Sequence, residues 1–284
     1  MAACLHAQAG SPAAGHPLQD GAAGGGSAQR QDAGLYAARA TPPAMAQSQH
    51  MFTLPPPALN GAHSLAQLLK QRRSVRNFAP APLTLAHIGQ LLWAAQGITA
   101  DGKLRTAPSA GALYPLELYV VAGHVEGLPS GVYHYQPHGH CLVPVVSGDK
   151  RHELASAAVK QMWIATAPAV VVFGAVHART AAKYGSRASR ASRYVHIEVG
   201  HAAENLFLQA QDLDLATADI GAFDDQEVAR VLRLPGDVAA HARWRAALMV
   251  KDAGLLGGPE KPRHGAEFQA QIKQCRSGPS VPAT

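Results

Sequence analysis

The sequence is short of cysteine, of charged residues and of long apolar runs. Its three cysteines, Cys4, Cys141 and Cys275, stand far apart, and no Cys-x-x-Cys occurs. That argues against a disulfide framework or a thiolate zinc site. No apolar run reaches the ~18 residues of a membrane-crossing helix. Neither Gly-x-Ser-x-Gly nor His-Glu-x-x-His is present, so hydrolase readings have no anchor. The N-terminus lacks the compact apolar stretch of a secretory signal. The cytoplasm is the expected location, with Met45 and Met51 as alternative translation starts.

Of 284 residues, 47% are apolar and only 15% charged, ample material for a core. The formal charge is nevertheless +6. Basic residues are scattered apart from Arg72–Arg73–Arg76 and Arg187–Arg190–Arg193. No basic run is interleaved with aromatics, so a nucleic-acid-binding module is a minor reading. Residues 1–60 are rich in Ala, Gly, Pro, Gln and Ser and poor in bulky apolar side chains. Such a segment buries too little surface to offset its ordering entropy and is expected to be disordered. Residues 258–284, punctuated by Pro and Gly, read as a flexible tail. One folded domain is expected over 61–257.

Within that domain, helices are expected over Ser64–Lys70, Thr84–Gln96, Arg151–Met162, Arg190–Leu213 and Asp224–Leu232. Strands are expected over Leu116–Ala122, Gly131–Gln136, Cys141–Val146, Ala169–Gly174, Leu215–Ile220 and Arg245–Val250. The 190–213 helix is apolar on most sides and so buried on most sides. Without strict β–α–β alternation, the fold class is α+β, a helix-covered sheet.

Two patterns imitate known sites. Gly97 to Leu104 nearly spells a phosphate-binding loop, but Leu104 cannot ligate Mg²⁺ and the segment follows a helix. A polar loop is the plainer reading. Glu198 and His201 stand three apart on the long helix, as in di-iron bundles, but only one such pair exists. No metal site is expected.

Four motifs carry chemistry. Arg72-Arg73-Ser74-Val75-Arg76 leaves the first helix and becomes extended, which would place Arg72, Ser74 and Arg76 on one face. Two guanidinium forks around a hydroxyl suit a phosphate dianion; a solvated basic helix end is the alternative. Pro108-Ser109-Ala110-Gly111, between Arg105 and Tyr114-Pro115, lets backbone approach a flat ligand, or is an ordinary helix-to-strand connection. Lys183-Tyr184 can supply a proton acceptor and a donor, or is an exposed helix end. Gly221-Ala222 leaves main-chain N–H groups uncovered where a strand ends, or forms a plain turn before an Asp224 cap.

In this order, the four resemble the nitroreductase superfamily. So do Leu91-Leu-Trp-Ala-Ala-Gln-Gly97, Gly131-Val-Tyr-His-Tyr135 and Gly200-His-Ala-Ala-Glu-Asn205. Within it they are most similar to the thiazole/oxazole-forming peptide dehydrogenases of the SagB/ThcOx type. The resemblance runs from about Arg72 to about Val250. It implies a nitroreductase-like fold, with a mostly antiparallel sheet covered by helices and a long buried helix at a homodimer interface. It also implies an FMN-dependent oxidoreductase acting on a small-molecule or peptide substrate such as an azoline, without nucleic acid or membrane partners. Arg72, Arg73, Ser74 and Arg76 would hold the FMN phosphate and ribityl end, with Lys251 a further phosphate partner. Pro108, Ser109, Ala110 and Gly111 would lie along the flavin, and Gly221 and Ala222 near its N5. Lys183 and Tyr184 match the pair assigned to proton abstraction, with His201 and Asn205 in support. An NAD(P)H-dependent nitro- or quinone reductase, and a non-catalytic flavin-binding protein, are the competing functions.

Overall fold

The computed structural model describes residues 51–100, 102–185, 188–236 and 245–251; of 188, 189 and 245–251 it describes the backbone alone. Nine strands and six helices are defined among them. Two strands, β2 (Ile98–Ala100) and β3 (Leu104–Arg105), pair as a small separate hairpin. That hairpin occupies the imitation phosphate loop. The other seven form one sheet: β1 (Phe52–Thr53), β4 (Leu116–Ala122), β5 (Gly131–Gln136), β6 (Cys141–Ser147), β7 (Ala169–Ala175), β8 (Leu215–Ile220) and β9 (Arg245–Lys251). Their order is β1-β6-β5-β4-β7-β9-β8, and every pair is antiparallel.

Alternation along the central strands divides the core in two. Leu116, Leu118 and Val120 of β4, with Val171 and Phe173 of β7, face one cluster; Tyr119, Val121, Val170 and Val172 face another. This is the two-residue period of a strand covered on both faces. Helices α2 (Leu85–Gln96) and α5 (Ala188–Asp212) fill the first cluster; α3 (Arg151–Ala157) and α6 (Asp225–Leu232) fill the second. The fold is α+β, a helix-covered antiparallel sheet, as expected.

Helix starts follow the expected chemistry. Helix α1 (Leu65–Gln71) begins at Ser64, which forms a capping box with Gln67; Thr84 does the same for α2 with His87, and Asp224 caps α6. Three features depart from the sequence reading. First, the sheet reaches back to residue 52, before the expected domain start at 61. Phe52 lies edge-on to Tyr133 at 5.6 Å, Leu54 is 3% exposed, and the Ala58 amide donates to Gln90 at 2.8 Å. Anchoring against core strands outweighs the local composition here. Residues 1–50 and 252–284 lie outside the described residues.

Second, the helix expected over 151–162 stops at Ala157. Val159 and Lys160 turn left-handed (φ 54° and 58°). The break leaves the Ala157 carbonyl free to accept from the Asp224 amide at 2.9 Å, and lets a 3-10 turn at Met162–Thr166 bury Ile164. Third, α4 (His177–Tyr184) was not expected. Thr180 is its one buried residue, so no apolar stripe announced it.

Candidate active site

Helix α5 organises the site. It presents side chains to three of the four motifs. Asn205 Nδ2 donates to the Thr106 carbonyl at 3.3 Å, Glu204 lies 3.7 Å from Arg72 Nε, and the Tyr194 ring meets Tyr184 edge-on at 4.9 Å. The fourth contact is the closest. Ser109 Oγ donates to Glu198 Oε2 at 2.6 Å and accepts from the Tyr114 amide at 2.9 Å.

The turn that follows Ser109 is tight. Ala110–Ala112 make one 3-10 turn, with Gly111 at φ 65° and Ala112 and Tyr114 also left-handed. Gly111 is needed for a second reason. A Cβ there would lie 2.8 Å from Tyr184 Oη and 3.0 Å from Lys183 Nζ. The structure therefore brings the heads of both candidate proton-transfer groups onto the second motif. Lys183 and Tyr184 are the last two residues of α4, which ends at Gly185. A cation there is favoured by the helix dipole.

Arg179 ties α4 to the sheet. It donates to the Tyr114 carbonyl at 3.0 Å and pairs with Glu117, which also holds His134 at 2.7 Å. Burial works to raise the Glu117 carboxyl, but His134 and Arg179 outweigh it and hold it below its ordinary value.

The first motif is extended, as expected. Ser74 bridges Thr217 in parallel, and the Val75 amide donates to the Thr217 carbonyl at 2.8 Å. The segment thus runs beside edge strand β8, which leads directly into Gly221 and Ala222. The side chains do not converge as the alternation implied. Arg72 faces Glu204; Arg73 folds back on the carbonyls of Lys70 and Arg72; Arg76 lies over the Trp163 ring at 5.7 Å. An extended backbone fixes the face of each Cβ, but long side chains choose their own neighbours. Arg73, Ser74 and Arg76 are exposed and Arg72 is half-buried.

Gly221 and Ala222 are exposed, and nothing lies within 4 Å of a Cβ built on Gly221. Gln161 Nε2 donates to the Ala222 carbonyl at 3.1 Å. Lys251 ends β9 opposite Leu215; its side chain lies outside the described residues. His201 is exposed. Among the described residues no cluster could hold a metal ion, and no helix is long and apolar enough to cross a membrane.

Glu198 is the residue that the sequence reading set aside. It is 2% exposed, and burial pushes its carboxyl up to about 7 against the pull of Ser109, Arg105 and Gln96. Its Oε1 and the Gln96 Nε2 have no hydrogen-bond partner. Arg105 donates to Gln96 Oε1 at 2.8 Å and stacks on Tyr114 at 4.7 Å. The available signal was a lone acid on the apolar stripe formed by Val195, Val199 and Ala202.

The first motif thus lies beside the strand that ends at Gly221 and Ala222, and the Ser109–Tyr114 turn meets Lys183 and Tyr184. The chain belongs to the nitroreductase family, whose model matches residues 69–250. It is 46% identical over 170 residues to a provisionally named nitroreductase of Methanocaldococcus jannaschii, covering 60% of this chain and 84% of that one. A provisionally named nitroreductase from Ralstonia eutropha superposes with a TM-score of 0.63 at 28% identity, over 75% of this chain and 94% of that one. The trifolitoxin-processing protein TfxB of Rhizobium leguminosarum bv. trifolii is 29% identical over 147 residues, covering 48% of this chain and 37% of that protein.

Proposed function

We propose that this oxidoreductase is an FMN-dependent dehydrogenase that acts on an azoline or a related small-molecule or peptide substrate. One observation carries the reading: Tyr184 Oη and Lys183 Nζ meet at Gly111, on the turn assigned to the flavin. Oxidation of an azoline removes a proton as well as a hydride, which a paired acceptor and donor at that place would serve. The relative named for processing trifolitoxin supports a biosynthetic substrate.

Arg72, Arg73, Ser74 and Arg76, with Lys251 at the end of β9, would hold the phosphate and ribityl end of FMN. Pro108 to Gly111 would bed the ring, and the amides of Gly221 and Ala222 would face its N5. Bound there, FMN supplies a reversible two-electron hydride acceptor. The chain's own work is positioning and proton handling. Tyr184 Oη, as a phenolate held by the Lys183 ammonium beside it, takes the substrate's proton and becomes the neutral phenol as the hydride leaves. Arg179 holds α4 against the sheet so that both heads stay over Gly111. A cytoplasmic homodimer completes the reading, with FMN between the subunits.

A second reading has its own support. The 46%-identical relative is named a nitroreductase, which favours an NAD(P)H-dependent reduction of nitro compounds or quinones on the same scaffold. The two separate on Tyr184→Phe. In the dehydrogenase, the variant keeps FMN, seen as an unchanged flavin absorption spectrum, and loses azoline oxidation by ~100-fold or more, the scale of one general base. Unchanged azoline turnover, or steady NAD(P)H-driven quinone reduction with no azoline oxidation, overturns this assignment. A flavin that no donor or substrate reduces would point to a non-catalytic binder.

A further inference from the structure

Glu198 is a carboxyl group buried inside the fold, with one oxygen on Ser109 Oγ and the other without a partner. Three groups act on it: Gln96 from α2, Arg105 from β3 and Ser109 from the turn. Evolution of a stable core alone gives no reason to place an acid there, since burying a carboxyl group with one oxygen unbonded is costly.

We propose that Glu198 is a positioning residue of the site: its proton decides whether Ser109 donates into the core or outward to a ligand on the Ser109–Tyr114 turn. Ser109 Oγ carries a single hydrogen and can accept two. With Glu198 ionised, that hydrogen goes to Glu198 Oε2, and Oγ accepts from the Tyr114 amide. When Glu198 takes up a proton on Oε2, the direction of that bond reverses. Glu198 donates to Oγ, which now accepts twice, and the Ser109 hydrogen turns outward. The same change alters the bond that holds Tyr114, and with it the left-handed turn under Tyr184 and Lys183. The ligand half of this proposal rests on FMN lying on that turn.

Two measurements on the 284-residue chain separate the parts. In flavin-free protein, the Tyr114 amide resonance is followed from pH 5.5 to 8.5, which spans a carboxyl that titrates at about 7. A single transition near that pH is expected, absent in Glu198→Gln. In Ser109→Ala the Tyr114 amide stops responding to pH while the Glu198 carboxyl carbon still titrates. This second variant decides the matter if Glu198→Gln does not fold. No transition in the parent chain, or an unchanged one in Glu198→Gln, overturns the proposal. The second measurement is FMN affinity by fluorescence quenching across the same pH range. It should strengthen roughly tenfold toward low pH, the worth of one added hydrogen bond, and lose that dependence in Ser109→Ala. A pH-independent FMN affinity overturns the ligand half. If FMN does not bind while Tyr114 still follows Glu198, the switch stands and the flavin assignment falls.

Discussion

At Gly111 one missing methyl group serves two ends. The residue sits at φ 65°, where an L side chain costs about 1–2 kcal/mol. A Cβ there would also collide with Tyr184 Oη and Lys183 Nζ. Gly111→Ala is therefore expected to unfold only slightly earlier, by that amount, but to lose most turnover. The strain is local, whereas the displaced heads are the chemistry. Thermal melts beside steady-state rates check this; a variant that melts normally and turns over normally contradicts the contact. The motif itself was legible, because small residues between two prolines stand out in a sequence. Its meeting with Lys183 and Tyr184 was not, because the two segments are some seventy positions apart and no local pattern links them.

Helix α5 shows what element-scale reasoning can and cannot deliver. Its length and its wide apolar stripe follow from the spacing of Val195, Val199, Ala202, Leu206 and Ala210, all of them buried. The stripe is already covered within one chain, by α2 and by β4 and β7. A broad apolar surface therefore does not by itself call for a second subunit. Leu206 sits at the centre of that packing with no exposed surface. Leu206→Ala should cost ~2–5 kcal/mol, the usual range for a fully buried leucine, read as a lower denaturation midpoint with an unchanged slope. A cost below about 1 kcal/mol would mean that the helix is less firmly seated than its burial implies. Helix α4 lies at the other extreme. Its inward positions, His177, Thr180, Ala181 and Tyr184, are mostly polar, so the stripe was easy to miss, and Arg179 adds bonds to Glu117 and to the Tyr114 carbonyl.

For the molecule as a whole, the buried acid makes stability depend on pH. The Glu198 carboxyl rises from 4.5 to about 7 on folding. The folded chain then binds the proton more tightly than the unfolded chain does, so the contribution of this group is fully present below about 4.5. It declines as pH rises toward 7, and the loss is complete above that. The size is on the order of 3 kcal/mol, from ~1.4 kcal/mol per pH unit. Glu198→Gln should abolish this decline and so gain on the parent chain between pH 5 and pH 8.5. Chemical denaturation at those two values tests it, and equal pH slopes for both chains would refute it.

The sequence by itself determined the α+β class, six of the seven strands of the main sheet, the capped starts of three helices and the four motifs in their order. Each depends on neighbours within a few residues: an alternation, a hydroxyl before a helix, a glycine after one. Tertiary structure alone decided that residue 52 belongs to the sheet, that α3 breaks to release the Ala157 carbonyl, and that Arg72 and Arg76 part company. It alone set Ser109 against Glu198, and Gly111 under Lys183 and Tyr184. Those contacts join residues distant along the chain. Their energies come from burial and from hydrogen bonds that exist only once the helices have closed on the sheet.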